Sequence, residues 1–185
     1  NSPVAAEALS LTGFDWMLFD TEHSPVEVAG VQPLLQAAAV GTAAAVARPA
    51  WNDKVLIKKL LDIGVQTLLV PFVETEEEAA QAVRASRYPP EGIRGVAGST
   101  RASRFGTAPD YQKTANDEIC VLVQIETMQA LDRLEQIAAV DGVDGIFIGP
   151  ADLSASMGYL GTPDAEPVQD AIRAAGARIT AAGKA

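Results

Sequence analysis

Basic residues are scarce in this 185-residue sequence, with 14 Lys and Arg against 24 Asp and Glu and a formal net charge of −10. A chain of that sign does not neutralise a phosphate backbone or an anionic lipid surface, which excludes nucleic acid and membrane as partners. Cysteine occurs once, at Cys120, so there is no intrachain disulfide and no thiolate zinc cage, and a reducing cytoplasm is the expected compartment. No apolar run reaches the roughly 18 to 20 residues of a membrane span. The opening "NSPVAAEALSL" lacks the cationic start of a secretory signal. Histidine also occurs once, as His23 in "LFDTEHSP".

What is present is enough apolar material, 48% of the chain, for a substantial core. The length suits one domain, 1–185, undivided by any linker. Five short apolar runs read as strands buried on both faces: "FDWMLF" (14–19), "AAAVA" (43–47), "TLLV" (67–70), "ICVLVQI" (119–125) and "GIFI" (145–148). Between them the stretches 25–40, 54–64, 75–87 and 127–140 carry apolar residues at three- and four-residue spacing and read as helices. Strand and helix alternate as in an α/β fold with right-handed crossovers.

Polar residues recur just beyond the strand ends. Asp20 and His23 follow the first, Arg48 the second, Pro71 and Phe72 the third, Glu126 the fourth and Asp152 the fifth. In an open doubly wound sheet, ligands gather at one switch point, whereas a (β/α)₈ barrel collects side chains from many strands at one rim. The repetition favours the barrel. Five units are fewer than eight, and about 250 residues is usual, so a barrel lacking its first strand and last two strands is expected. The stretch 87–117, rich in Gly, Pro and Arg, reads as an irregular lid or binding loop.

Glu126 and Asp152 each follow an apolar strand and would converge in one mouth, with Gln124 nearby. Hard oxygen donors of this kind suit Mg²⁺ or Mn²⁺, although Asp152 could equally cap its helix. In "GPAD", Gly149, Pro150 and Ala151 lead into a helix start whose N–H groups could meet an anion, or could serve only the turn. Arg48 ends a buried strand and therefore needs an anionic partner: Asp20, Glu126, or an oxyanion of a substrate. Asp62 is either a solvated helix-end residue or an orienting partner for His23. The loop arginines Arg94, Arg101 and Arg104 either face solvent or meet a distal anion of a substrate. His23 is either a satisfied loop residue or a proton-transfer group.

Six segments taken together, "GFDWMLFDTEHSP", "ARPAWND…IKKLLDIGVQTLLVPFV", "RYPPEGIRGV", "RASRFG", "VLVQIET" and "VDGIFIGPADLSASMGY", closely resemble the HpcH/HpaI family of metal-dependent (class II) pyruvate aldolases. The resemblance implies a (β/α)₈ TIM-type barrel that cleaves 4-hydroxy-2-oxo acids reversibly into pyruvate and an aldehyde such as succinic semialdehyde. It implies Glu126 and Asp152 as ligands of a divalent metal ion (Mg²⁺, Mn²⁺ or Co²⁺), His23 as acid/base, and Arg48 on the keto oxygen. Asp20, Gln124 and Asp62 match supporting positions, the last as a candidate partner of the histidine. A homo-oligomer, a hexamer, in which subunits exchange their last helix is implied as well. The chemistry of the residues agrees, since breaking a C–C bond beside a hydroxyl needs an enolate stabiliser and a base, and His23 is the candidate base. Oxaloacetate decarboxylation, acyl-CoA lyase chemistry and a non-catalytic metal- or carboxylate-binding barrel are the alternatives.

Overall fold

The structure is a computed structural model and describes residues 2–185. Five strands form a single sheet: β1 (Trp16–Asp20), β2 (Ala44–Arg48), β3 (Thr67–Val70), β4 (Cys120–Ile125) and β5 (Gly145–Ile148). All are parallel and lie in chain order, β1-β2-β3-β4-β5. The expected strands are therefore present, each within about two residues of its sequence-based limits, as scatter in element boundaries allows. An order without reversal has no switch point of the doubly wound kind.

Helices fill the crossovers. α1 (Pro3–Ser10) precedes β1, α2 (Val28–Ala38) follows it, and α3 (Lys54–Asp62) links β2 to β3. The long β3–β4 connection holds α4 (Glu76–Ser86) and α5 (Tyr111–Glu118), the latter inside the stretch expected to be irregular. α6 (Met128–Asp132) and α7 (Leu134–Ala138) replace the one helix expected over 127–140, and α8 (Pro150–Ser156) and α9 (Glu166–Ala181) come last. α2 packs on α3, α3 on α4, α4 on α7 and α7 on α9, so the helices form one continuous outer layer.

Local chemistry explains the elements that position the strand ends. Asp53 caps α3 by accepting from the Val55 and Leu56 N–H groups at 2.8 and 3.0 Å. Ile57, Leu60 and Leu61 then fall on one face and are fully buried, each contributing about 1.5 to 3 kcal/mol. Lys54, Lys58 and Lys59 occupy the other side. Gly64, at φ +97°, ends the helix in a conformation that only glycine adopts without strain, and β3 begins three residues later. Thr75 caps α4 through the Glu78 N–H at 3.2 Å, and three glutamates in the first turn complement the helix dipole.

Val46, Ala47, Leu68, Leu69, Val70, Val121, Val123, Ile125 and Ile146 build the buried sheet. Trp16, on one edge strand, stays 52% exposed and Phe147, on the other, 36%.

Candidate active site

The C-terminal ends of the strands bring four polar residues into one connected chain. Asp20 is the last residue of β1 and stands in register with Arg48, the last residue of β2. The Arg48 guanidinium donates from Nε to Asp20 Oδ1 and from Nη2 to Asp20 Oδ2, both at 2.8 Å. Its Nη1 donates to Gln124 Oε1 at 3.2 Å. Gln124, on β4, passes the link on by donating Nε2 to Glu126 Oε2 at 2.6 Å. Of the partners open to Arg48 in sequence, Asp20 holds it directly and Glu126 only through Gln124.

Electrostatics follow from this wiring. Burial alone would raise the Asp20 carboxyl, but the Arg48 bonds and the Glu22 N–H (3.0 Å to Oδ1) outweigh it and hold it below the usual carboxylate value. Arg48 is held above its ordinary value chiefly by the bonds to Asp20. Glu126 is only 2% exposed. Burial pushes its carboxyl up, the bonds from Gln124 and from the Phe72 N–H (2.9 Å to Oε1) pull it down, and the charges of Glu22 and Asp152 push it up again; the net direction is up.

Two backbone features shape the Glu126 cradle. Phe72 follows β3 with φ +54°, an unusual conformation for a bulky residue, and that turn aims its N–H at the carboxylate. Gly149 opens α8, and a Cβ there would stand 2.5 Å from Glu126 Oε2, so the approach requires glycine. Asp152 is the acidic residue of the first turn of α8, where it complements the helix dipole, and the N-cap position itself is held by Gly149. α8 is a short helix whose first residue, Pro150, has no N–H, so Ala151 and Asp152 are left to supply the turn's free amides.

His23 lies in the turn after β1. Thr21 fixes that turn by donating both its N–H (3.0 Å) and Oγ1 (2.7 Å) to the Arg48 carbonyl, and Ser24 Oγ bonds the Asp20 carbonyl. The imidazole is 64% exposed, and its Nε2 stands 3.7 Å from Glu22 Oε1. Glu22, which the sequence reading does not single out, has a side chain only 11% exposed. Its Oε2 lies 3.1 Å from Arg48 Nε yet has no hydrogen-bond partner, because that N–H already points to Asp20. Burial pushes Glu22 up, and neither Arg48 nor His23 cancels the effect.

Asp62 is not part of this cluster. It ends α3, which places it at the opposite, N-terminal end of the sheet, where its Oδ1 accepts from Arg94 Nη2 at 2.9 Å. The expectation that Asp62 orients His23 is not met within this chain. The loop arginines are placed there too: Arg94 is buried with its guanidinium 4.4 Å above the Tyr88 ring, and Arg101 donates to the Ile63 carbonyl at 2.7 Å. Arg104 is exposed, beside Phe105. Segment 98–106 is thus anchored below the sheet, not folded over the rim as a lid. A cavity of about 680 Å³ there, lined by Arg101, Arg104, Phe105 and Tyr111, is remote from the strand ends that carry the polar chain.

The donor set fits a divalent cation. Among the described residues no three His, Cys, Asp or Glu side chains converge tightly enough to hold a metal by themselves. Glu126 and Asp152 offer two carboxylates, the pattern that leaves coordination positions for water and substrate oxygens. Burial is the main cause that raises Glu22 and Glu126, and the charge of Asp152 adds to it in both; a cation held here would offset that negative charge.

Comparison with known proteins points the same way. A family model described as HpcH/HpaI aldolase/citrate lyase matches residues 1–185. The chain is 59% identical over 180 residues to a pyruvate aldolase of Rhizobium etli, covering 97% of this chain and 71% of that protein. It is 56% identical over 186 aligned positions to a 4-hydroxy-2-oxo-heptane-1,7-dioate aldolase of Escherichia coli, covering all of this chain and 71% of that one. A crystal structure of an HpcH/HpaI aldolase/citrate lyase family protein from Burkholderia cenocepacia superposes with a TM-score of 0.94 at 43% identity, covering all of this chain and 74% of the other.

Proposed function

This chain belongs to the HpcH/HpaI aldolase/citrate lyase family, and from that membership we propose that it cleaves 4-hydroxy-2-oxo acids reversibly into pyruvate and an aldehyde. Such an enzyme is a carbon–carbon lyase. The observation that carries the reading is the unbroken path Asp20–Arg48–Gln124–Glu126 at the strand ends, with Asp152 on the next turn and His23 at the rim. On this reading the sheet is an arc of a (β/α)₈ barrel, supported by its unreversed strand order and single outer layer of helices.

Glu126 and Asp152 hold the divalent ion, which when bound supplies Lewis-acid stabilisation of the enolate. Arg48 spends its N–H groups on Asp20 and Gln124 but keeps one on each of Nη1 and Nη2. These remain for the 2-oxo oxygen, whose negative charge grows as the bond breaks. The bidentate grip of Asp20 fixes the plane of the guanidinium, so this positive charge is in place before the reaction begins. Neutral His23 takes the proton of the C4 hydroxyl; the C3–C4 bond breaks, its electron pair enters the enolate, and C4 leaves as the aldehyde. Proton return to C3 gives pyruvate. The amides of Ala151 and Asp152, beside Gly149 and Pro150, meet the substrate carboxylate.

A pyruvate-release assay over 4-hydroxy-2-oxo acids of different length, with Mg²⁺, Mn²⁺ or Co²⁺ and after chelation, tests the proposal. Metal-dependent release is expected, including from 4-hydroxy-2-oxo-heptane-1,7-dioate, whose C4 fragment is succinic semialdehyde. Oxaloacetate decarboxylation with no release from any hydroxy acid would replace the aldolase reading with the decarboxylase one.

A further inference from the structure

We propose that Trp51 is a positioning residue for Glu126, acting through Phe72: its indole holds the ring that keeps the Phe72 amide on the carboxylate. The inference rests for its purpose on the reading of Glu126 as a metal ligand, but the coupling of the three residues stands on geometry. β3 ends at Val70, and in a continued strand successive amides would point to opposite neighbours. Pro71 has no N–H, and the amides of Phe72 and Val73 both turn to the β4 side. The first donates to Glu126 Oε1 at 2.9 Å and the second to the Gln124 carbonyl at 3.0 Å. The left-handed φ of +54° at Phe72 brings the two amides to the same side. A bulky residue keeps such a conformation only where its surroundings impose it.

The Phe72 side chain supplies that constraint. Its ring is stacked on Trp51, with centroids 5.6 Å apart and planes 29° from parallel, a separation within the range of favourable aromatic pairs. Trp51 belongs to the loop after β2, three residues beyond Arg48, and its own backbone is held. Its carbonyl accepts from the Asp53 N–H at 2.8 Å, and Asp53 caps α3. Asn52 donates Nδ2 to the Glu78 carbonyl at 3.0 Å, and its own carbonyl accepts from Gln81 Nε2 at 3.2 Å, which ties the loop to α4. The indole is nevertheless 53% exposed, so a place in the core does not account for the tryptophan. Its contact with Phe72 does. With Val73 fully buried on one side of the turn and the ring clamped on the other, the Phe72 amide stays aimed at Glu126. Without the indole the ring is free, and the turn relaxes toward extended backbone and withdraws the amide.

Mn²⁺ titration calorimetry and metal-free hydrogen exchange of the Phe72 and Val73 amides, both in the full chain, test the coupling with two pairs of variants. Trp51→Ala removes the stack, whereas Trp51→Phe keeps one. Phe72→Ala removes the ring and leaves the left-handed turn strained, whereas Phe72→Gly removes the ring and the strain together. Trp51→Ala and Phe72→Ala should each weaken Mn²⁺ binding about tenfold, the lower end of what losing an outer partner of a ligand costs, and should lose exchange protection. Trp51→Phe should recover both, and Phe72→Gly should bind Mn²⁺ more tightly than Phe72→Ala. A lower unfolding midpoint in Trp51→Ala with unchanged Mn²⁺ affinity would make the indole merely structural and overturn the proposal. Wild-type affinity and protection in Trp51→Ala with a raised KM would overturn it too, and make the indole a wall for substrate. Equal losses in Phe72→Gly and Phe72→Ala would overturn the part played by the turn. If the wild type binds no Mn²⁺, the ligand reading fails and exchange decides the coupling. Protection lost in Trp51→Ala and recovered in Trp51→Phe would then uphold it, and protection unchanged in both would end it.

Discussion

Arg48 holds Asp20 through two parallel hydrogen bonds of 2.8 Å, at the point where β1 and β2 end in register. A lysine cannot reproduce that fork, because its ammonium is a point charge without a fixed plane. Arg48→Lys is therefore expected to lower kcat/KM for pyruvate release about 10²- to 10³-fold, with the unfolding midpoint changed far less. Activity within about threefold of wild type, against that expected loss, would show that a plain positive charge suffices.

Gly149→Ala tests the Glu126 cradle. The backbone φ of −86° accepts alanine, so the cost is steric: the new Cβ meets Glu126 Oε2 at 2.5 Å and Glu126 Cβ at 2.9 Å. If Glu126 is the ligand proposed, displacing it in this way is expected to weaken Mn²⁺ binding about 10- to 100-fold, measured by titration calorimetry. Unchanged affinity would remove Glu126 from the metal site.

Asp62→Asn probes the opposite end of the sheet. Arg94 is fully enclosed, with Nε and Nη1 lacking partners, and Asp62 is its ionic partner. Removing that charge is expected to cost about 3 kcal/mol of stability, seen as a lower midpoint in urea. An unchanged midpoint together with lost turnover would instead place Asp62 in the catalytic machinery.

Cys120 supplies a pH test. Burial, reinforced by the nearby Asp144 charge, raises its thiol from 9.0 to about 11. The thiol is therefore neutral up to alkaline pH, and reaction with a disulfide reagent at pH 8 should run roughly 100-fold slower than for a free thiol. Because the folded value is raised, the stability this group contributes is intact below pH 9.0 and declines as pH rises toward about 11. Cys120→Ser should flatten stability across that window. Fast labelling at pH 8 would contradict the burial.

The strands were legible because a strand covered on both faces must be apolar throughout, and "TLLV" and "GIFI" have no other use. Arg48, Glu126 and Asp152 were legible for the converse reason: charge at the end of such a run calls for a partner or a role. The Asp62–Arg94 pair joins a helix end to a loop 32 residues away, and no periodicity announces a contact of that kind. Sequence could not show that segment 98–106 is anchored below the sheet, because its anchors are single contacts such as Arg101 to the Ile63 carbonyl. Glu22 was masked by its neighbours: an acid between Asp20 and His23 in a polar turn looks solvated until the side chain is seen folded toward Arg48. The left-handed turn at Phe72 has no marker, since a glycine would normally occupy it.

The division of labour between His23 and the rest of the site is the central claim, and His23→Ala tests it most directly. Three rates are compared in the enzyme at saturating metal: aldol cleavage, exchange of the pyruvate methyl protons in D₂O, and oxaloacetate decarboxylation. Cleavage should fall about 10²- to 10⁴-fold, the usual cost of losing a general base, while the other two, which the proposal assigns to Arg48, Glu126 and Asp152, should fall far less. A matching fall in all three would assign His23 to the enolate side as well, and no fall in any would leave it a loop residue without a part in the reaction.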